Sequence, residues 1–405
     1  MQLLIKNADI ILPDGILRGS GLYIEDGAIG GIGGDLSPGP HCAVIDAAGA
    51  CLMPGMIDIH SDQIEQVVEP RPGSVMDIAY AMQEQEKQLV NHGITTMFHS
   101  LSLWKITNAA GRRKAAREEG VMRKLAREIV NPDRARLITH LLHLRLDLTN
   151  LEIVPTLLDM LEEGYVSLLS FMDHTPGQGQ YRDLEKTKAS MKAYSPEASD
   201  AKIAERLAER MNAPKIPKET LIKISRLAKS KGAAVASHDD DSIHKLDFMK
   251  DVLHATISEF PVEPEFARHA TRIGMTALGG APNVLAGKSH SGNMSAAEGV
   301  LDGGITALCS DYYPPAMLQA VFLLHRKHGI PLHECVNLVT LAPARATGID
   351  WRVGSIEEGR EADLILVDAS GEYPRLVTAI CGGEVVSTLN YARKLYAERM
   401  GANAS

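Results

Sequence analysis

Apolar positions along the chain change rhythm twice. From residue 1 to about 52 they come in short runs, LLIKNADIIL, GLYIEDGAIGGIGG and HCAVIDAAGACLMPG, cut by glycine-rich turns and without a helical period. The stretch from Val353, VGSIEEGREADLILVD and then VTAICGGEVVSTL, has the same character. Between them, short apolar runs alternate with amphipathic segments, the pattern of strands joined by helical crossovers in a parallel sheet. Strands are expected at Gly55–His60, Ile94–Ser100, Leu137–Leu146, Val166–Asp173, Ala233–His238, Thr256–Phe260, Met275–Gly279 and Ile305–Ser310. Helices are expected at Asp77–His92, Ala109–Val130, Lys218–Lys231 and Pro264–Ile273. This count makes an α/β fold of the (β/α)8 TIM-like barrel type the expectation, with a doubly wound open sheet as the alternative. The two β-rich ends are expected to form one small β-sandwich domain, residues 1–54 and 346–405, with the barrel, 55–345, inserted between them. The segment near 175–217 is too long for a plain loop and is expected to be a helical insertion, either a lid or a decoration.

Barrel enzymes carry their chemistry at the C-terminal ends of the strands, and polar groups gather at seven of the expected ends. In PGMIDIHSDQIEQ, His60 and Asp62 stand two apart on an extended segment and so point the same way. In THLLHLRLDLTN, His143, Arg145 and Asp147 alternate with leucines and share the face that lines a barrel. The plainer reading is a self-satisfied Arg–Asp pair; the functional one makes Asp147 a metal-site carboxylate and Arg145 an anion clamp. SLLSFMDHTPGQ ends on Asp173 and His174, and AAVASHDDDS on His238 followed by Asp239, Asp240 and Asp241. TISEFP sets Glu259 among apolar neighbours. TALGGAPNVLAGKSHSGN offers Lys288, His290 and Asn293 as donors for an anion, and Asp311 follows the last strand. A divalent ion held by such nitrogen and oxygen ligands would acidify a bound water, and Asp311 is placed to take its proton.

Composition narrows the partners. The 405-residue chain is 45% hydrophobic and 23% charged, ordinary globular usage, and its net charge of −9 argues against a nucleic-acid binder. A phosphorylated small-molecule substrate stays open, given local positive charge. The five scattered cysteines include no C-x-x-C pair and read as reduced thiols of a cytoplasmic protein. No apolar run approaches the roughly 20 residues of a membrane span, and the N-terminus lacks the marks of a signal peptide. Self-association is common among barrels and is left open here.

PGMIDIH, His238 after a fifth strand, Asp311 after an eighth and the late GSIEEGREADLILVD resemble the amidohydrolase superfamily over nearly the whole chain. HSDQIE with PRPG, HLRLDL, MDHTPGQ, ASHDD, GAPN, KSHSGN and SDYYP resemble its phosphonate-metabolism branch in particular. That resemblance implies a hydrolase of the carbon–phosphorus lyase pathway. It would cleave α-D-ribose 1-methylphosphonate 5-triphosphate to the 5-phosphate and pyrophosphate, with one or two divalent ions (Mn, Mg, Fe or Zn) as cofactor. The general pattern is not kept throughout: the first-strand His-x-His is His60-Ser61-Asp62, LLSFMDH has no bridging lysine, and Glu259 stands where a histidine is usual. The working assignment therefore gives one ion His60, Asp62 and Asp311, and a second His238 and Glu259, with Asp147 or Asp173 bridging. Carboxylates in place of imidazoles favour Mn²⁺, Mg²⁺ or Fe²⁺ over Zn²⁺. Arg71 in EPRPG, Arg145, His174, Lys288 and His290 are expected to bind the substrate. Two competing readings are an amidase, deaminase or lactonase of the same superfamily, and a scaffold without catalysis.

Overall fold

The computed structural model describes residues 2–34, 36, 39–103, 115–287 and 294–391. Five strands open the chain: β1 (Gln2–Leu12), β2 (Gly15–Glu25), β3 (Ala28–Gly33), β4 (Ala43–Asp46) and β5 (Cys51–Pro54). β2 and β3 meet at Asp26-Gly27, where both residues take positive φ (51° and 84°), the twist that a two-residue hairpin requires. Eight barrel strands follow: β6 (Met56–Ser61), β7 (Ile94–Leu103), β8 (Thr139–Asp147), β9 (Val166–Met172), β10 (Ala234–His238), β11 (Ile257–Glu259), β12 (Thr276–Gly280) and β13 (Ala307–Cys309). The chain closes with β14 (Leu364–Asp368), β15 (Arg375–Cys381) and β16 (Glu384–Thr388).

The terminal strands form one sheet in the order β16-β15-β14-β5-β1-β2-β3, with β4 also paired to β1. Its buried face joins Leu3, Ile5 and Ile10 to Leu364, Leu366 and Ile380, so the two chain ends share one core, as in a small β-sandwich. β6 to β13 form a second, parallel sheet in strict chain order. All eight expected strands are present, with ends displaced by at most three residues. Ile57, Ile59, Phe98, Leu168, Ala236, Ile257, Leu278 and Ala307 fill the interior. A larger apolar layer lies between the outer faces of the strands and the helices. The sheet curls into a nearly closed barrel: Ser61 pairs with Asp311, Asp311 N donates to His60 O at 2.9 Å, and Asp62 N donates to Asp311 O at 2.8 Å. Lower in this seam, β6 and β13 bond instead to the chain at Leu338 and Val339.

The helices follow their local signals. Ile78–Asn91 is capped by Asp77, whose carboxylate accepts from Tyr80 N at 3.0 Å. Lys218–Ser230 and Pro264–Arg272 lie where expected. The expected Ala109–Val130 helix differs: its first residues lie outside the described ones, Ala115–Arg117 is a single 3₁₀ turn, and the α-helix is Glu119–Ile129. Glu118 is extended (ψ 132°), and Arg117 is drawn into an ion pair with the buried Glu65, which breaks the run. Between β9 and Lys218 the chain forms helices Leu184–Tyr194 and Asp200–Met211, capped by Asp183 and Ser199. Among the described residues no helix is long and apolar enough to cross a membrane.

Candidate metal centre

A one-residue irregularity sets up the site. Asp58 faces Met97 and Ser61 faces His99, so β6 spends three steps where β7 spends two. Strict alternation from Ile57 and Ile59 would turn His60 outward; the extra residue turns it into the barrel mouth. There its ring stacks on His238 at 5.5 Å between centroids and meets the edge of Phe260 at 4.9 Å. Asp58, fully buried, accepts Ser310 N at 3.0 Å and His60 N at 3.3 Å through one oxygen, and so ties β6 to the end of β13.

Glu259 is the hub. It lies directly across the ladder from His238 and is fully buried. Its Oε1 lies 3.0 Å from His60 Nδ1 and its Oε2 lies 3.0 Å from His238 Nδ1. Ser170 Oγ donates to Oε2 at 2.8 Å. Burial alone would push this carboxyl up, but His60, His143 and the hydrogen bond from His238 hold it well below the usual carboxylate range. The reciprocal effect appears at His60, where burial lowers the ring but Glu259 outweighs it and raises it. Burial lowers His238.

Behind the hub runs a chain of small donors. Ser61 N donates to Ser100 Oγ at 3.0 Å, Ser100 Oγ lies 3.0 Å from His143 Nδ1, and His143 Nε2 contacts Ser170 Oγ. Burial pushes His143 down to about 3, so the ring is neutral and one nitrogen accepts. The Ser170 hydroxyl gives its proton to a buried carboxylate, the stronger of the choices open to it. His143 Nε2–H therefore donates to Ser170, and Nδ1 accepts from Ser100, although the Ile59 carbonyl also lies 3.1 Å from it.

Three further sequence candidates meet this cluster. Asp62 forms a short ion pair with Arg145, whose other terminal nitrogen is 3.4 Å from His238 Nε2. Burial pushes Asp62 up, yet Arg145 and His60 outweigh it and hold the carboxyl far below its ordinary value. Arg145 is thus both buried and neutralised by Asp62. Asp311 sits across the seam in the left-handed region (φ 57°), and burial raises its carboxyl. His60, Asp62, His238, Glu259 and Asp311, from four strands, therefore converge at one mouth.

Of the remaining candidates, His174 stays beside the centre, where its ligand atom and those of His238 and Asp239 lie within 4.8 Å of one another. Asp147 accepts Thr149 N at 2.9 Å and pairs with His174 Nδ1 at 3.1 Å; His174 in turn meets the His238 ring edge-on at 5.8 Å. The Asp173 oxygens are engaged by Lys215 Nζ at 2.7 Å and Thr175 N at 3.1 Å. Arg71 is exposed in a tight turn closed by Ser74 N. Lys288 and His290 lie outside the described residues. The sequence pattern gave no role to Ser100 and Ser170, which lie inside apolar strands, nor to Asp58 and Asp239. Asp239, at positive φ (52°), is 95% buried with Oδ2 3.7 Å from His238 Nε2; the three successive aspartates were the one signal for it.

The donor set fits a divalent cation. One nitrogen or oxygen from each of His60, His238 and Glu259 lies within 4.8 Å of the others, all buried. His60 Nδ1 and Glu259 Oε1 are 3.0 Å apart yet not aligned for a hydrogen bond, and Asp239 Oδ2 is likewise buried without a hydrogen bond. Buried polar atoms in such a state call for a missing partner.

Comparison with known proteins places this geometry in context. The amidohydrolase family profile matches residues 51–390. The chain is 32% identical over 378 residues to the α-D-ribose 1-methylphosphonate 5-triphosphate diphosphatase of Escherichia coli K12, covering 90% of this chain and 94% of that protein. A shorter match, 48% identical over 61 residues, covers 15% of this chain and 13% of a D-hydantoinase of Ralstonia pickettii. Among solved structures, a D-hydantoinase superposes over 96% of this chain and 95% of its own with a TM-score of 0.60 at 16% identity, a likeness of fold.

Proposed function

The chain belongs to the amidohydrolase family, and from that premise we propose that it is a metal-dependent diphosphatase. Its substrate in this reading is α-D-ribose 1-methylphosphonate 5-triphosphate, split to the 5-phosphate and pyrophosphate during phosphonate breakdown. The observation that carries the reading is the near full-length similarity to a diphosphatase of that name, 94% of which is covered. Two imidazoles and one carboxylate make a donor set for the divalent ion that this reading requires. A second reading, hydrolysis of cyclic amides, draws on the 61-residue match to a D-hydantoinase.

His60, His238 and Glu259 would hold the ion, with Asp311 beside it; Asp62, committed to Arg145, shapes the wall. When bound, a divalent ion supplies Lewis acidity and brings a water toward ionisation near neutral pH. Glu259 fixes the rings of His60 and His238, and the Ser100–His143–Ser170 chain fixes Glu259. Asp311, whose carboxyl burial makes more basic than usual, accepts the proton of the attacking water and returns it to the leaving phosphate. The five free cysteines accord with a cytoplasmic setting.

The test is product analysis with Mn²⁺-loaded protein and the ribosyl triphosphate. Pyrophosphate and the 5-phosphate are expected in equal amounts, and a chelator is expected to stop their release. Stepwise release of orthophosphate, or turnover of a hydantoin with the triphosphate untouched, overturns the reading.

A further inference from the structure

Beside the centre lies a cavity of about 390 Å³ that the chemistry above leaves unused. Its floor is Asp147, Thr149 and His174, from the ends of β8 and β9; its far wall is Glu209 and Arg210, from the insertion helix Asp200–Met211. His174 joins it to the centre, since the same ring meets His238 edge-on at 5.8 Å. The wall is fixed in place rather than merely near. Arg210 Nη2 donates to His174 O at 3.1 Å and its guanidinium lies over the Tyr181 ring at 5.3 Å. Ile216 N donates to Leu148 O at 2.8 Å, Lys215 pairs with Asp173, and Gly179 N donates to Asp241 at 2.6 Å, so both ends of the insertion are tied to strand ends.

The charges of this cavity are mixed in a way that sorts a ligand. Glu152 and Glu209 supply acceptors, Thr175 a hydroxyl and Arg210 a half-buried cation, while Asp147 beneath them is engaged by Thr149 and His174. A polyphosphate with several negative charges is repelled by such carboxylates, whereas a sugar diol donates to them. One anionic substituent can be met by Arg210. We propose that this cavity is the subsite for the pentose part of a phosphorylated sugar, with Glu209 accepting from ring hydroxyls and Arg210 meeting a single anionic group, so that the polyphosphate end points toward the histidines. The inference rests on the reading of the protein as a ribosyl-triphosphate hydrolase, and it adds which face of the mouth takes which half of the substrate. It also gives the insertion a role, because the helix that walls the cavity lies within that segment.

The experiment uses the Mn²⁺-loaded full chain and two readouts. D-ribose 5-phosphate is titrated calorimetrically into wild type, Glu209→Gln and Arg210→Lys. The preference for the ribosyl triphosphate over inorganic tripolyphosphate, as a ratio of kcat/KM, is measured for the same proteins. Glu209 is exposed on its helix, so its variant tests the idea without disturbing the fold. Weaker ribose 5-phosphate binding and a preference lowered about fivefold per lost hydrogen bond support the subsite. Binding and preference that match wild type in both variants overturn it, as does wild type that fails to bind ribose 5-phosphate. A wild type that binds ribose 5-phosphate, loses it in Glu209→Gln and hydrolyses no phosphoanhydride keeps the subsite and removes the diphosphatase reading.

Discussion

A buried carboxylate that faces two imidazoles is the residue on which this site turns. Glu259→Gln keeps the volume but removes the charge that orients His60 and His238. Metal affinity, measured by competition with a chelating indicator, is expected to fall at least 10–100-fold; unchanged affinity would mean that Glu259 is a bystander. Asp311→Asn is expected to lower kcat by two to four orders of magnitude with the fold intact, as for the loss of a proton acceptor. A loss confined to KM would remove Asp311 from the chemistry. Why these residues could be read from the sequence is plain: a charged or imidazole side chain at the end of an apolar strand has few reasons to be there. Ser100 and Ser170 could not be read, because a serine inside an apolar run is unremarked until the register sets it against His143 and Glu259. Asp173 ends a strand as promisingly as Asp311 does, but Lys215, 42 positions away, engages it.

At the level of elements, the strands were legible because each is a short apolar run between turn signals. Their closure was not. The extra residue in β6 and the insertion of Leu338–Val339 into the seam depend on how the last strand meets the first, which no local pattern states. Asp58 holds that seam with two backbone N–H groups on one fully buried oxygen. Asp58→Ala is expected to cost about 2–4 kcal/mol, since both donors are left without a partner in a dry site. Asp58→Asn, which keeps an acceptor oxygen, should recover most of it. Urea unfolding of the two variants checks this, and equal stabilities would show that the seam does not depend on Asp58. The insertion was legible as a helical segment from its length, yet its attachment through Arg210, Lys215 and Gly179 was hidden in long-range pairs.

For the whole molecule, the junction of sandwich and barrel carries a titrating group of its own. Asp363 O accepts Gly55 N at 2.9 Å, and its carboxylate accepts Gly382 N at 2.8 Å. Burial pushes its carboxyl up to about 6. A carboxyl that is raised on folding favours the folded state in its protonated form. That contribution is complete below the unfolded value near 4 and is lost as pH rises through about 6. Asp363→Asn should therefore flatten the fall in stability between those values and, at pH 7–8, leave the protein more stable by up to roughly 3 kcal/mol. Denaturant midpoints across that range test it, and a variant less stable than wild type at pH 8 contradicts it. The fold as a whole was legible from two β-rich ends around an alternating middle, because both ends had to find a common core. The central claim is that residues far apart in the chain share one cation at the mouth of the barrel. Anomalous X-ray scattering from crystals of Mn²⁺-loaded protein tests it most directly. The account predicts a peak bonded to His60, His238 and Glu259 and next to Asp311; a mouth without a peak, or a peak that these side chains do not touch, contradicts it.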